Sequence, residues 1–142
     1  MRKALLLASL LLTPGWCAAP GITFVSGSLY RENPDLAFDS GLRGNLTIRN
    51  DYGVELKHVH VTIHIMDGYG RSIFDLPAQE IPRMQPNQTE TIPIFRATYN
   101  GSVALFQLGA DIDSETATGN QHFVVPPHDA TGGYGPNYKS GY

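Results

Sequence analysis

HVHVTIHIM, residues His58 to Met66, is the stretch whose reading decides the fold. Its side chains alternate without a break. Val59, Val61, Ile63 and Ile65 fall on one side of an extended backbone, and His58, His60, Thr62, His64 and Met66 fall on the other. A period of two belongs to a β-strand, where successive side chains point to opposite faces. The first face is entirely β-branched and apolar, which makes it the core face and leaves the histidines on the wet one.

Working outward, shorter segments of the same character surround this strand: Ile22 to Val25 with Leu29 and Tyr30, Leu46 to Arg49, Ser72 to Phe74, Thr89 to Phe95, Val103 to Leu108, and His122 to Val125. Turn residues separate them, at Asn33-Pro34-Asp35, Ser40-Gly41, Asn50-Asp51-Tyr52-Gly53, Asp67-Gly68-Tyr69-Gly70, Gln85-Pro86-Asn87 and Asn100-Gly101. No segment carries a helical stripe longer than about ten residues. The pattern predicts an all-β chain folded as an antiparallel β-sandwich of about seven strands. Pro93, between Ile92 and Ile94, cannot donate to a ladder and belongs on an edge strand or at a strand switch.

The chain opens with Arg2 and Lys3, then the apolar run Ala4 to Leu12, then Pro14, Gly15 and small residues. That order is the one found in secretory signal peptides. The run is about nine residues, short of the roughly twenty that a membrane-spanning helix needs. Residues 1–17 are therefore expected to be removed, with cleavage between 17 and 20, leaving no transmembrane segment and a secreted, periplasmic or envelope-associated product. Pro20 disfavours a cut after Ala19, whereas Cys17 with Gly15 before it fits better. Cys17 also raises a lipid-anchored reading, against which the bulky Trp16 stands.

Cys17 is the only cysteine, so the domain beyond it holds no disulfide and relies on its core. The sandwich is expected over residues 21–125, one domain with a sizeable core. After Val125 the sequence PPHDATGGYGPNYKSGY has no apolar face, so residues 126–142 read as a disordered tail in which Tyr134, Tyr138 and Tyr142 recur. Loss of Arg2 and Lys3 takes the formal charge from −3 to −5. A mildly acidic surface argues against nucleic acid or an anionic membrane as partner.

The stretch GLRGNLTIRNDYGVELKHVHVTIHIMDGYGRSI, followed by IPRMQPNQTETIPI and VALFQL, resembles the FxLYD-type extracellular domains and their immunoglobulin-like relatives. Gly44, Leu46, Ile48 and Asn50 take the first part of that pattern, Val59, Val61, Ile63, Ile65, Asp67 and Gly70 the second, and Met84, Pro86, Asn87, Gln88 and Thr89 the third. Residues 41–108 are covered. Ile63, Ile65 and Met66 stand where Phe, Leu and Tyr name the family. The resemblance implies an immunoglobulin-like sandwich used as an accessory or binding module, and no catalytic residues. Local chemistry accounts for the same positions: Asp67 and Gly70 bracket a tight turn, Asn50 and Asp51 another, and Pro86 presets the dihedral of a third.

The histidines suggest a metal. Residues two apart on a strand are roughly 6.6 Å apart along its axis, so His58 and His60 are within reach of one ion with Zn–N near 2.0–2.1 Å. His64 is roughly 13 Å from His60 and roughly 20 Å from His58, too far to share an ion with His58. His58 and His60 would need further ligands, from a neighbouring strand or from His122 and His128. Imidazole ligation would suit zinc or copper. Otherwise the run is a solvated strand face, or a surface that gains positive charge below neutral pH.

Other chemistry is thin. Ser26-Gly27-Ser28 lacks the strand-to-helix context of a nucleophile elbow. Asp111, Asp113 and Glu115 are the closest carboxylates and are expected in a solvated loop after the last strong strand, with too few oxygen ligands for calcium. Sequons at Asn45, Asn87 and Asn100 matter only in a eukaryotic secretory pathway. The expectation is an exported, non-enzymatic binding or assembly module that needs no cofactor and docks a protein partner. The alternative is a copper- or zinc-binding exported protein using His58 and His60.

Overall fold

A computed structural model describes residues 21–32, 40–99 and 105–134, and all their regular structure is strand. The strands are β1 (Ile22–Arg31), β2 (Ser40–Asn50), β3 (Leu56–Asp67), β4 (Ser72–Asp75), β5 (Gln79–Met84), β6 (Thr89–Tyr99), β7 (Phe106–Thr116), β8 (Gly119–Asp129) and β9 (Thr131–Tyr134). They form two sheets, one of order β6-β2-β1-β9 and one of order β4-β3-β7-β8, with β5 also paired to β3. The expected signal peptide with Cys17, the turns at Asn33 and Asn100, the Asn100 sequon, Val103, Tyr138 and Tyr142 lie outside the described residues.

The alternation of the histidine stretch becomes β3, where Val59, Val61, Ile63 and Ile65 are all 0% exposed. They meet one core shared by both sheets: Leu29, Leu46, Ile48, Ile92 and Ile94 from the first, Leu108, Ala110, Ile112, Phe123 and Val125 from the second. Each fully buried Val, Leu or Ile contributes about 1.5–3 kcal/mol relative to exposure. The all-β, sandwich-like arrangement of two sheets is thus the one the alternation dictates.

β5 and β9 are strands without a period of two. β5 buries Ile81 and Met84, three apart, around an exposed Pro82, which its edge position tolerates. β9 is Thr-Gly-Gly-Tyr, with no apolar face, and it lies parallel to β1, Ser28 opposite Thr131. Every other pairing is antiparallel.

The expectation of a loop at Asp111 and Asp113 is corrected. Both lie inside β7, a central strand whose inward residues continue the alternation through Leu108, Ala110, Ile112 and Ser114. Strand structure also continues past Val125. Pro126 and Pro127 occupy the register irregularity between Leu108 and Ala110 of β7, and pairing resumes at His128 and Asp129. A bulge on an edge strand accommodates two residues without N–H donors. The Ala130 N–H then bonds the Phe106 carbonyl at 2.9 Å, and the chain crosses to the other sheet as β9.

The turns follow their residues. Asp67 Oδ1 accepts from the N–H groups of Tyr69 and Arg71, both at 2.9 Å, while Gly70 takes φ +80°. Asn87, after Pro86, takes φ +67°, and the Gln88 N–H bonds the Gln85 carbonyl at 3.0 Å. Asn50, 0% exposed, joins two turns at one end of the molecule. Its Nδ2 donates to the carbonyls of Val54, Met84 and Gln85, and its Oδ1 accepts from the Tyr52 N–H.

Candidate functional site

The outward face of the five-stranded sheet collects the polar half of every alternating strand in it. β3 presents His58, His60 and His64, β4 presents Asp75, β5 presents Glu80, β7 presents Asp111 and Asp113, and β8 presents His122. Four of the chain's five histidines therefore share one sheet face with these carboxylates.

Register links these groups into a chain across four strands. His64 lies opposite Asp75 of β4 on one side and Gly109 of β7 on the other, one alternation from Asp111. Its Nδ1 is 2.7 Å from Asp75 Oδ1, and its Nε2 is 2.5 Å from Asp111 Oδ2. His122 of β8 lies opposite Asp113, with Nδ1 2.8 Å from Asp113 Oδ1 and Nε2 3.5 Å from Asp111 Oδ1. The order is Asp75, His64, Asp111, His122, Asp113, with carboxylate and imidazole in strict alternation.

The electrostatics follow from that order. Partial burial lowers the His64 pKa, but hydrogen bonds and charge from Asp75 and Asp111 outweigh it, so the ring titrates above its ordinary value. His122 is raised mainly by its hydrogen bond to Asp113, against slight desolvation and with the charges of Asp113 and Asp111 adding to it. A protonated ring donates from both nitrogens, and His64 has a carboxylate waiting at each. Among the described residues no hydroxyl or thiol is hydrogen-bonded to either ring.

His58 and His60 stand differently. His58 has φ +50° at the irregularity between Lys57 and His60, and its Nδ1 is 3.1 Å from Glu80 Oε2 on the β5 side. His60 lies opposite Asp113 on the β7 side. The two still line one open depression of about 210 Å³ with Asp113, Glu115, Asn120 and Gln121. Among the described residues no three His, Cys, Asp or Glu side chains gather as a metal-holding group. Register explains this for the larger cluster. His64 sits opposite Gly109 and His122 opposite Asp113, four residues apart along β7 and on its two sides, so they clasp Asp111 from opposite directions. The two rings thus stand on opposite sides of the Asp111 carboxylate, each paired to a different oxygen of it.

His128 lies apart from this face. Its ring stacks on Phe24 of β1 at 4.1 Å, and its Nδ1 is 2.6 Å from the Pro126 carbonyl oxygen, so it helps close β8 onto the other sheet. Beside His64 and Asp75 the face turns apolar, with Met66, Gly109, Val124 and Pro127 lining a second open depression of about 290 Å³.

Sequence reading put His64 out of reach of His58, and the structure keeps them apart, with His64 given a separate set of partners. What it missed was the convergence of Asp75, Asp111, Asp113 and His122. The alternation Leu108, Ala110, Ile112 was a signal that Asp111 and Asp113 share the polar face of a strand. That this strand lies between β3 and β8 is a property of the topology.

No protein-family model matches the chain, and no curated protein matches it. Solved structures share its fold. The crystal structure of the Bordetella pertussis protein assigned as ApaA superposes with a TM-score of 0.56 at 10% sequence identity, covering 85% of this chain and 100% of that one. A second X-ray structure, a structural-genomics target, gives a TM-score of 0.54 at 11% identity, covering 86% of this chain and 92% of its own. Likeness at such identities speaks to fold alone, not to activity.

Proposed function

We propose that this chain is an exported, non-enzymatic binding or assembly module of immunoglobulin-like build, which docks a protein partner at the cell envelope or outside the cell. The observation that carries the reading is the gathering of His64, His122, Asp75, Asp111 and Asp113 on one open sheet face, bordered by two open depressions. An open face with an adjoining apolar patch suits a macromolecular surface better than a small substrate.

Strand pairing supports the immunoglobulin-like part. β2 pairs with β1 and β6 in one sheet, while β7 pairs with β3 and β8 in the other. These are the A-B-E and C-F-G neighbours of that fold. The FxLYD resemblance points the same way, and the opening residues Arg2 to Gly15 support export.

The test is capture from envelope extract by the full chain with cross-linking, in three forms. Wild type and Thr91→Arg, on the opposite sheet, are expected to capture the same partner, and Asp111→Arg is expected to lose it. Equal capture by all three forms removes this face from the reading. Turnover of a substrate that tracks His64 would replace a module with an enzyme.

A second reading rests on the depression that His58 and His60 share with Asp113 and Glu115, a place for copper or zinc. Calorimetric titration with each metal decides it. His58→Ala and His60→Ala are expected to weaken binding, and unchanged affinity, or none in wild type, removes the metal.

A further inference from the structure

We propose that the partner surface recognised by the five-stranded sheet is cationic, a lysine- or arginine-bearing segment, and that it binds by replacing imidazolium charge on Asp111 and Asp113. This rests on the reading of that face as the docking surface and adds the chemistry of what docks.

The argument is one of charge complementarity. Five carboxylates face outward here, Asp75 on β4, Glu80 on β5, and Asp111, Asp113 and Glu115 on β7. Imidazoles stand against four of them: His64 against Asp75 and Asp111, His122 against Asp111 and Asp113, His58 against Glu80. Lys57 and Arg83 lie at one end of the face, 4.0 Å and 3.7 Å from Glu55. Arg96 of β6 reaches over the Phe74 ring, next to Asp75 in β4. Asp129 of β8 bonds Gln107 of β7 beyond the chain of five groups.

The counter-charge at the centre of the face is therefore titratable. With His64 and His122 protonated, two positive charges stand between the three carboxylates of the row, and Asp111 lies between both. With both neutral, Asp111 and Asp113, roughly 6.6 Å apart on a rigid strand, present bare negative charge to solvent. Asp113 is 76% exposed and Asp111 45%, so an incoming ammonium or guanidinium reaches both. A guanidinium fork would meet a carboxylate with two parallel bonds. Each imidazolium that gives way releases a proton, so affinity rises with pH through the range in which these rings titrate. The limiting slope is about one decade per pH unit for each proton released. Binding is also expected to weaken with salt, since the charges are exposed.

The experiment uses the full chain in the presence of a chelator and a fluorescent peptide of alternating lysine and serine, with a glutamate-serine peptide as control. Fluorescence anisotropy at about pH 6 and about pH 8 reads the affinity. The lysine peptide is expected to bind about tenfold or more tightly at the higher pH. Asp111→Asn with Asp113→Asn is expected to lose that binding, and His64→Gln with His122→Gln to keep it but flatten its pH dependence. Glu90→Gln, on the other sheet, is expected to change nothing, and a thermal melt of each variant confirms that it folds.

Absence of lysine-peptide binding, affinity that falls as pH rises, preference for the glutamate peptide, or equal binding by the double asparagine variant each overturns the proposal. So does self-association in sedimentation that depends on Asp111 and Asp113, which would assign the face to a second copy. The two levels of the reading separate cleanly. A captured partner cross-linked to this face but indifferent to salt and to the asparagine changes sinks the cationic chemistry and leaves docking in place. A partner cross-linked to the opposite sheet sinks the docking reading.

Discussion

His64 is held at both ring nitrogens, by Asp75 from β4 and by Asp111 from β7, at the middle of the polar face. Its folded pKa lies above the ordinary value, so the stability it contributes is present in full below the unfolded pKa and is lost as pH rises through the folded one. Urea denaturation of wild type and His64→Gln is expected to differ most at about pH 6 and to converge toward about pH 8. The size of the effect is under about 1 kcal/mol, because the pair partners are solvent-screened. A constant difference at both pH values would mean that His64 matters for packing and not for charge. Asn50 offers a larger single-residue effect. Its amide ties Val54, Met84 and Gln85 to one point with no exposure, so Asn50→Ala is expected to cost about 1–3 kcal/mol for the carbonyls it leaves unpaired. An unchanged urea midpoint would show that water takes the amide's place.

At the level of elements, β3 is the strand on which both the core and the face depend. Ile63 is 0% exposed and pairs with Ala110, so Ile63→Ala is expected to lower stability by about 2–5 kcal/mol in equilibrium denaturation. Its outward neighbours carry the candidate site, which makes core packing and site geometry two faces of one alternating segment. β2 shows the opposite limit, where nothing fits. A Cβ on Gly44 would stand 1.9 Å from the Ser28 carbonyl oxygen of β1. Gly44→Ala is expected to push the two strands apart and destabilise by about 1–3 kcal/mol or more, with faster amide exchange along Ser28 to Arg31 as the local sign. Both strands were legible as strands because their buried residues alternate. β5, with Ile81 and Met84 three apart, and β9, with no apolar side chain to alternate, were not.

Across the whole molecule, the last strands bind the two sheets together. β8 ends in the His128 ring stacked on Phe24, and β9 lies along β1, Ser28 to Arg31 facing Thr131 to Tyr134. Ending the chain at Val125, where the apolar pattern stops, removes these contacts. Such a truncation is expected to lose about 0.5–1.5 kcal/mol through the ring stack alone, seen as a lower Tm. A Tm equal to that of the full chain would show that the sandwich closes without them. The Pro126-Pro127 pair concealed this continuation in the sequence, since prolines read as an end to pairing unless an edge strand and a bulge are there to hold them.

The sequence by itself determined that the chain is all-β, which face of each alternating strand is buried, and where the turns at Asp67, Pro86 and Asn50 fall. Each of those is a local property, set by side-chain period and by what Asp, Asn, Pro and Gly do to their own backbone. Only the tertiary structure decided that Asp75, His64, Asp111, His122 and Asp113 form one row, because they come from four strands and as many as 47 residues separate two bonded partners. Adjacency across a sheet is a matter of strand order and register, and alternation specifies which face a residue joins without specifying its neighbours on that face.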